Sequence, residues 1–211
     1  MHCMLTTSQD RAKFVVRAVA NPAELEQLWM LDRAAYAQAS ITYEQFLGWW
    51  NAFPPGLKAL FSDSKVMGAI GIWPLSDQWA TRFKNGQTRE AELPPEMLRA
   101  FQNSAAKAWY CSGIVLKPEL RKSPAIQCLL TRALKQWLED GHTEYPLELL
   151  ALAYSDSGEA LLKRSGFLRL QNASCMADGF PLYGVQLPSK MESLRVFNRT
   201  PVKLIILLNM G

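Results

Sequence analysis

The residues best placed to do chemistry lie between Tyr110 and Trp137. A β-prone run ends at Leu116, the chain turns through Pro118 and Arg121, and Ser123-Pro124 opens a helix with a polar cap followed by proline. Such a turn presents backbone N–H groups that have no acceptor within the helix, so it can seat an anion. Arg121 and Lys122 would add charge-assisted hydrogen bonds to a pyrophosphate, and Ser123 a hydroxyl. The same residues would serve equally well to cap and solubilise an ordinary surface helix.

Four other features carry reactive or binding groups. Tyr154, at the end of an apolar run, is a phenol able to protonate a leaving group, or else a packed ring with a wet hydroxyl. Cys111 lies in an apolar strand with no histidine nearby in sequence, which reads as an inert buried thiol. Glu148 is the single carboxylate of its strand, either a general base or half of a salt bridge. Trp49, Trp50, Phe53, Trp73 and Trp79 fill a core or line a pocket. Cys3, Cys111, Cys128 and Cys175 are scattered, and His2 and His142 are the only histidines, so no metal site is expected.

Composition narrows the classes. The 211 residues are 49% hydrophobic and 20% charged, which excludes a disordered chain and a continuous coiled coil. A formal charge of +4, with no helix bearing a dense Lys/Arg face, gives no footprint for nucleic acid. The absence of a C-x-x-C pair suits a reducing cytoplasm. The polar stretch Met1–Lys13 lacks a signal-peptide core, and the longest apolar run, Leu204–Leu208, is far short of the roughly 20 residues that span a bilayer. No membrane segment is expected.

The elements that must position these groups follow from periodicity and punctuation. A strand over Phe14–Val19 precedes Asn21-Pro22, a cap and first helical residue, and Leu25, Leu28, Trp29 and Tyr36 recur at helical spacing while Glu24, Glu26 and Asp32 face solvent. Thr42 caps a second, aromatic helix that stops at Pro54-Pro55. Leu57–Phe61 and Val66–Trp73 form an antiparallel pair. Residues 74–107 read as an excursion, a lid or a packed surface loop, with one short helix over Glu96–Ala106. A strand over Trp109–Leu116 then feeds a helix striped by Ile126, Leu129, Leu130, Ala133, Leu134, Trp137 and Leu138, which ends at Asp140-Gly141. Leu147–Ala153 is a central strand, Asp156–Arg164 a helix, and Phe167–Leu170 and Tyr183–Leu187 the last strands. The sum is a mixed α/β domain with one strand–helix–strand crossover.

The approach Ile114-Val115-Leu116-Lys117-Pro118-Glu119-Leu120-Arg121 and the later stretch SDSGEALLKRSGF, Ser155–Phe167, together with the element order, resemble the GNAT superfamily of acyl-CoA-dependent N-acyltransferases. The resemblance covers residues 14–188, with the excursion ahead of the fourth strand and residues 189–211 as a C-terminal extension. It implies a mostly antiparallel central sheet flanked by helices, and transfer of an acyl group from acetyl-CoA or another acyl-CoA to an amine of a small molecule or peptide. On the same resemblance, the backbone of Ile114 and Leu116 would hold the pantetheine arm. Arg121, Lys122, Ser123, Ala125 and Ile126 would grip the diphosphate, Ser155 would stand in for the family's asparagine, and Tyr154 would protonate the leaving thiolate. The sequence departs from the family pattern at Pro124 and Ile126, where the turn carries glycines, and at Leu162, where many relatives carry a tyrosine acid. A catalytically inactive binding or assembly module on the same fold is the alternative. The β-prone run Val202–Leu208 would add an edge strand or cover a second copy in a homodimer.

Overall fold

The computed structural model describes residues 14–37, 41–121, 123 and 125–190. Lys122, Pro124, the N-terminal stretch and the β-prone tail lie outside the described residues. Among the described residues seven strands form one sheet in the order β1-β2-β3-β4-β5-β7-β6. They are β1 (Val15–Ala18), β2 (Leu57–Ser62), β3 (Lys65–Leu75), β4 (Ala106–Leu116), β5 (Thr143–Leu152), β6 (Leu168–Gln171) and β7 (Leu182–Leu187). Every pairing is antiparallel except β4 with β5, which are joined by the expected crossover helix.

Among the described residues six helices flank the sheet: α1 (Pro22–Ala35), α2 (Tyr43–Ala52), α3 (Asp77–Lys84), α4 (Pro95–Arg99), α5 (Ala125–Glu139) and α6 (Asp156–Arg164). The caps read from the sequence are in place. Asn21 Oδ1 accepts from the Glu24 amide at 3.0 Å and Thr42 Oγ1 from the Gln45 amide at 3.3 Å. The whole α5 stripe from Ile126 to Leu138 is buried. Side chains alternate across β4, so Trp109 meets Trp137 of α5 edge-on while Tyr110 meets Phe83 of α3.

The excursion differs from the sequence reading. The strand β3 continues through Pro74, which pairs with Trp109, and β4 begins at Ala106. Ser76 caps α3, a helix the loop-forming residues around it disguise, by accepting from the Trp79 amide. The helix expected over Glu96–Ala106 stops at Arg99, because the chain must turn back into the sheet. Phe101 and Gln102 close three-residue turns, Gln102 Nε2 donates to Ala52 O at 2.8 Å, and the Ala106 amide donates to His142 O at 2.7 Å.

Three further anchors fix this excursion to the body. Gln45 of α2 donates to Ala91 O, Trp49 Nε1 donates to Leu93 O at 2.8 Å, and the Glu90 amide donates to Asp178 Oδ2 at 2.7 Å. Gly86 lies at φ +68 against the loop before β7, where a Cβ would stand 1.9 Å from Cys175 O. Gly86→Ala should therefore destabilise the protein by at least about 2 kcal/mol. Gly141→Ala, at φ +82 but with nothing within 4 Å, should cost only about 1 kcal/mol. Urea denaturation of both variants checks this, and equal losses would refute the close docking at Gly86.

Candidate active site

The site begins with a divergence of strands. Pairing between β4 and β5 stops at Cys111 opposite Ala151, although β4 continues to Leu116. Beyond that point β4 stays with β3, through Leu116 opposite Gly68 and the Lys117 amide donating to Met67 O at 2.9 Å. Meanwhile β5 stays with β7, and the Ala153 amide donates to Pro181 O at 3.1 Å. Each strand follows its outer neighbour, and a V-shaped opening results.

The register also contains a bulge. Gly71 faces Gly113 and Ile72 faces Cys111, which leaves Ser112 as the extra residue of β4 at the mouth of the opening. Because the Lys117 backbone points to β3, the alternation of an antiparallel ladder turns the backbone of Ile114 and Leu116 towards the gap. Side chains from outside the sheet reach both carbonyls: Tyr36 Oη donates to Ile114 O at 2.8 Å and Arg121 Nε to Leu116 O at 3.3 Å. Among the described residues, no strand lies against the amides on this edge.

The turn after β4 is bonded within itself. The Arg121 amide donates to Pro118 O at 3.2 Å and the Ser123 amide to Leu120 O at 3.0 Å. The Ser123 hydroxyl donates to Leu120 O at 2.8 Å and accepts from the Ala125 amide at 3.2 Å. Ala125 and Ile126 are buried at the start of α5, and the Arg121 side chain is exposed. Ser155 is engaged as well: its hydroxyl caps α6 by accepting from the Gly158 amide at 3.1 Å. Leu162 is buried in α6 and offers no proton.

Beside Ser112 of β4, the structure assembles a site that the sequence does not announce. A cavity of about 20 Å³ is bounded by Asp32 of α1, Tyr36 at its C-terminal cap, Trp49 of α2, Glu90, Ser112 and Tyr154. Glu90 is fully buried; its Oε2 accepts from the Tyr154 hydroxyl and its Oε1 has no hydrogen-bond partner among the described residues. Burial pushes the Glu90 carboxyl up to about 8, while the hydroxyls of Tyr154 and Tyr110 favour its anion. Burial likewise pushes the Asp32 carboxyl up to about 6 and the Tyr36 phenol up to about 12. The Tyr154 phenol is raised by burial and by the carboxylate beside it, and its ring stacks obliquely on Tyr36 and Phe180. The arrangement can accept a proton at Glu90 near neutral pH and pass one through Tyr154.

The other sequence candidates resolve differently. Cys111 is a buried free thiol pushed up to about 12 by burial, consistent with the inert reading. Glu148 lies away from the opening, in a 2.8 Å ion pair with Lys84. Of the aromatic group, Trp49, Phe53 and Trp73 are core, and Trp49 also forms a wall of the cavity. Asp32, read as solvent-facing, instead turns into the cavity, because the end of α1 packs over β4 and its polar face meets the opening. Glu90 sits in Arg89-Glu90-Ala91-Glu92, which has the composition of a solvated turn, and only the unusual length of the excursion hinted at a functional loop.

The raised carboxyls fix a pH dependence. The Glu90 carboxyl ionises near 4.5 when unperturbed and near 8 in the fold, so folding takes up a proton between those values and stability falls as pH rises through that window. Asp32 adds a loss of the same sign between 3.8 and about 6. Glu90→Gln should flatten the decline above pH 6. Parallel curves for wild type and variant in urea titrations across this window would show that Glu90 is not held protonated.

By sequence, the chain matches no family model and no curated protein. Its fold is widely shared among solved structures. The loading GNATL domain of CurA from Lyngbya majuscula superposes with a TM-score of 0.60 at 12% identity, over 82% of this chain and 98% of that one. The NatC complex bound to Gag peptide and CoA gives 0.57 at 12% identity, over 84% and 99%. The GphF GNAT-like decarboxylase in complex with isobutyryl-CoA gives 0.57 at 15% identity, over 82% and 99%. With its sheet order, its single parallel pair and its diverging β4 and β5, the chain has the GNAT fold.

Proposed function

We propose that this protein transfers an acyl group from an acyl-CoA thioester to an amine. The observation that carries the reading is the placement of the buried Glu90 carboxyl and the Tyr154 hydroxyl beside the bulge where β4 leaves β5. The open edge at Ile114 and Leu116 would pair with the pantetheine arm as an added strand does, setting the thioester carbonyl at the bulge, where backbone N–H groups polarise it. Arg121, Lys122 and Ser123 would meet the diphosphate with the first turn of α5 at Ala125 and Ile126, and Ser155 would border the arm from α6.

Glu90 takes a proton from the attacking amine as nitrogen bonds to the carbonyl carbon. When the C–S bond breaks, Tyr154 gives its proton to the departing sulfur and recovers one from Glu90 through their hydrogen bond. One proton leaves nitrogen and one reaches sulfur, so the cycle closes. Positioning of the two reactants supplies much of the remaining acceleration. Acetyl-CoA, with the smallest common acyl group, is the proposed donor, and the free thiols of Cys111 and Cys175 suit a cytoplasmic setting.

A second reading, a binding module that has lost catalysis, is favoured by one observation: the amides of Arg121, Ser123 and Ala125 are already bonded within the turn. Isothermal titration with acetyl-CoA separates the two. Heat of binding together with thiol release in the presence of an amine supports the enzyme, and Glu90→Gln should then lower kcat/KM by roughly 10²–10⁴-fold. Silence at millimolar acetyl-CoA would overturn the enzyme reading.

A further inference from the structure

The cavity beside β4 is shaped and charged for one kind of amine. We propose that it admits the unbranched CH2–NH3⁺ head of an aliphatic primary amine and excludes both branched amines and amines bearing an α-carboxylate. The inference rests on the acyl-transfer reading only in treating this cavity as the acceptor site.

Size is the first constraint. A volume of about 20 Å³, on a scale where about 10–15 Å³ holds one water, takes a single ammonium-sized group with its carbon chain running outwards. A tertiary carbon next to nitrogen would press on Trp49 and Tyr154, which are held by the Leu93 carbonyl and the Glu90 carboxylate.

Charge is the second. Glu90 and Asp32 both line the cavity, and among the described residues no lysine, arginine or histidine does. The buried Oε1 of Glu90 makes no hydrogen bond among the described residues, although the Tyr110 hydroxyl lies near the carboxyl, and an ammonium supplies N–H groups to fill it. The aromatic walls add the face of a π system to the same cation. An α-carboxylate entering with the amine would be desolvated beside two carboxyls, and the cations whose charge reaches this wall, Arg33 and Arg121, do not line the cavity.

Position is the third. Asp32 Oδ1 and the Tyr36 ring lie 3.8 and 3.7 Å from where a Cβ on Gly113 would stand, so this wall of the cavity abuts β4 directly after the bulge. An ammonium held between Asp32 and Glu90 therefore sits next to the strand that presents the acyl group in the proposed function.

Calorimetric titration of the full chain with butan-1-amine, 2-methylpropan-2-amine and glycine tests the inference, with acyl transfer to each amine measured alongside. Butan-1-amine should bind at least about tenfold more tightly than the other two. That preference should fall in Asp32→Asn and return in Asp32→Glu, with circular dichroism confirming that each variant folds. Equal binding of the three amines, or no binding of butan-1-amine, would overturn the inference. Selective amine binding without acyl transfer would sink the enzyme reading and leave this one intact, whereas transfer to all three at equal rates would do the reverse.

Discussion

The separation of β4 from β5 after Cys111 and Ala151 is the constraint from which the rest of the site follows. A parallel pair has no tight turn to hold its far ends together, so each strand follows whichever antiparallel partner binds it more continuously. Here β3 keeps β4 to the end and β7 keeps β5. The bulge at Ser112 sharpens the bend and removes one rung of the ladder where the strands part. The unpaired edge that results is a liability in a folded protein unless something covers it. Tyr36 and Arg121 cover its carbonyls, which leaves its amides as the accessible half.

Into this opening the protein places a carboxyl that its own packing keeps out of water. Burying Glu90 is tolerable because burial favours its protonated form, and because Tyr154 supplies a hydrogen bond to one oxygen. The anchors that hold Glu90 come from three separate parts of the chain: α2, the loop before β7, and Tyr154 at the end of β5. A group fixed from so many sides moves little, and a preorganised proton acceptor loses little on reorganisation when charge develops. The excursion is therefore a packed structural element that carries a reactive group.

At the other end of the opening, the turn into α5 solves a local problem differently from a glycine-rich anion cradle. Its N–H groups are consumed by the carbonyls of Pro118 and Leu120 and by the Ser123 hydroxyl. In the proposed enzyme, diphosphate recognition would thus lean on the charge of Arg121 more than on these backbone amides. Arg121 joins the two ends, since its Nε also touches the Leu116 carbonyl of the open edge.

Periodicity and punctuation determined most of the architecture. The apolar stripe of α5, the caps at Asn21 and Thr42, and the run Leu147–Ala153 are local patterns whose burial has few alternatives, so they could be read directly. The resemblance of Ile114–Arg121 to a known family located the strand whose edge opens, and Tyr154 was identifiable as the phenol at its neighbour's end. The role of Glu90 could not be read that way. Its local sequence is that of an exposed turn, and its burial depends on α2 and the loop before β7, which are far away in the chain. Asp32 was misread for a related reason, because a helical wheel separates apolar from polar faces but does not say that the polar face meets a cavity. Local spacing fixed which segments are helix and which are strand, whereas the protonation and partners of the reactive groups depended on long-range packing, since desolvation is a property of the assembled surroundings and not of any short stretch of chain.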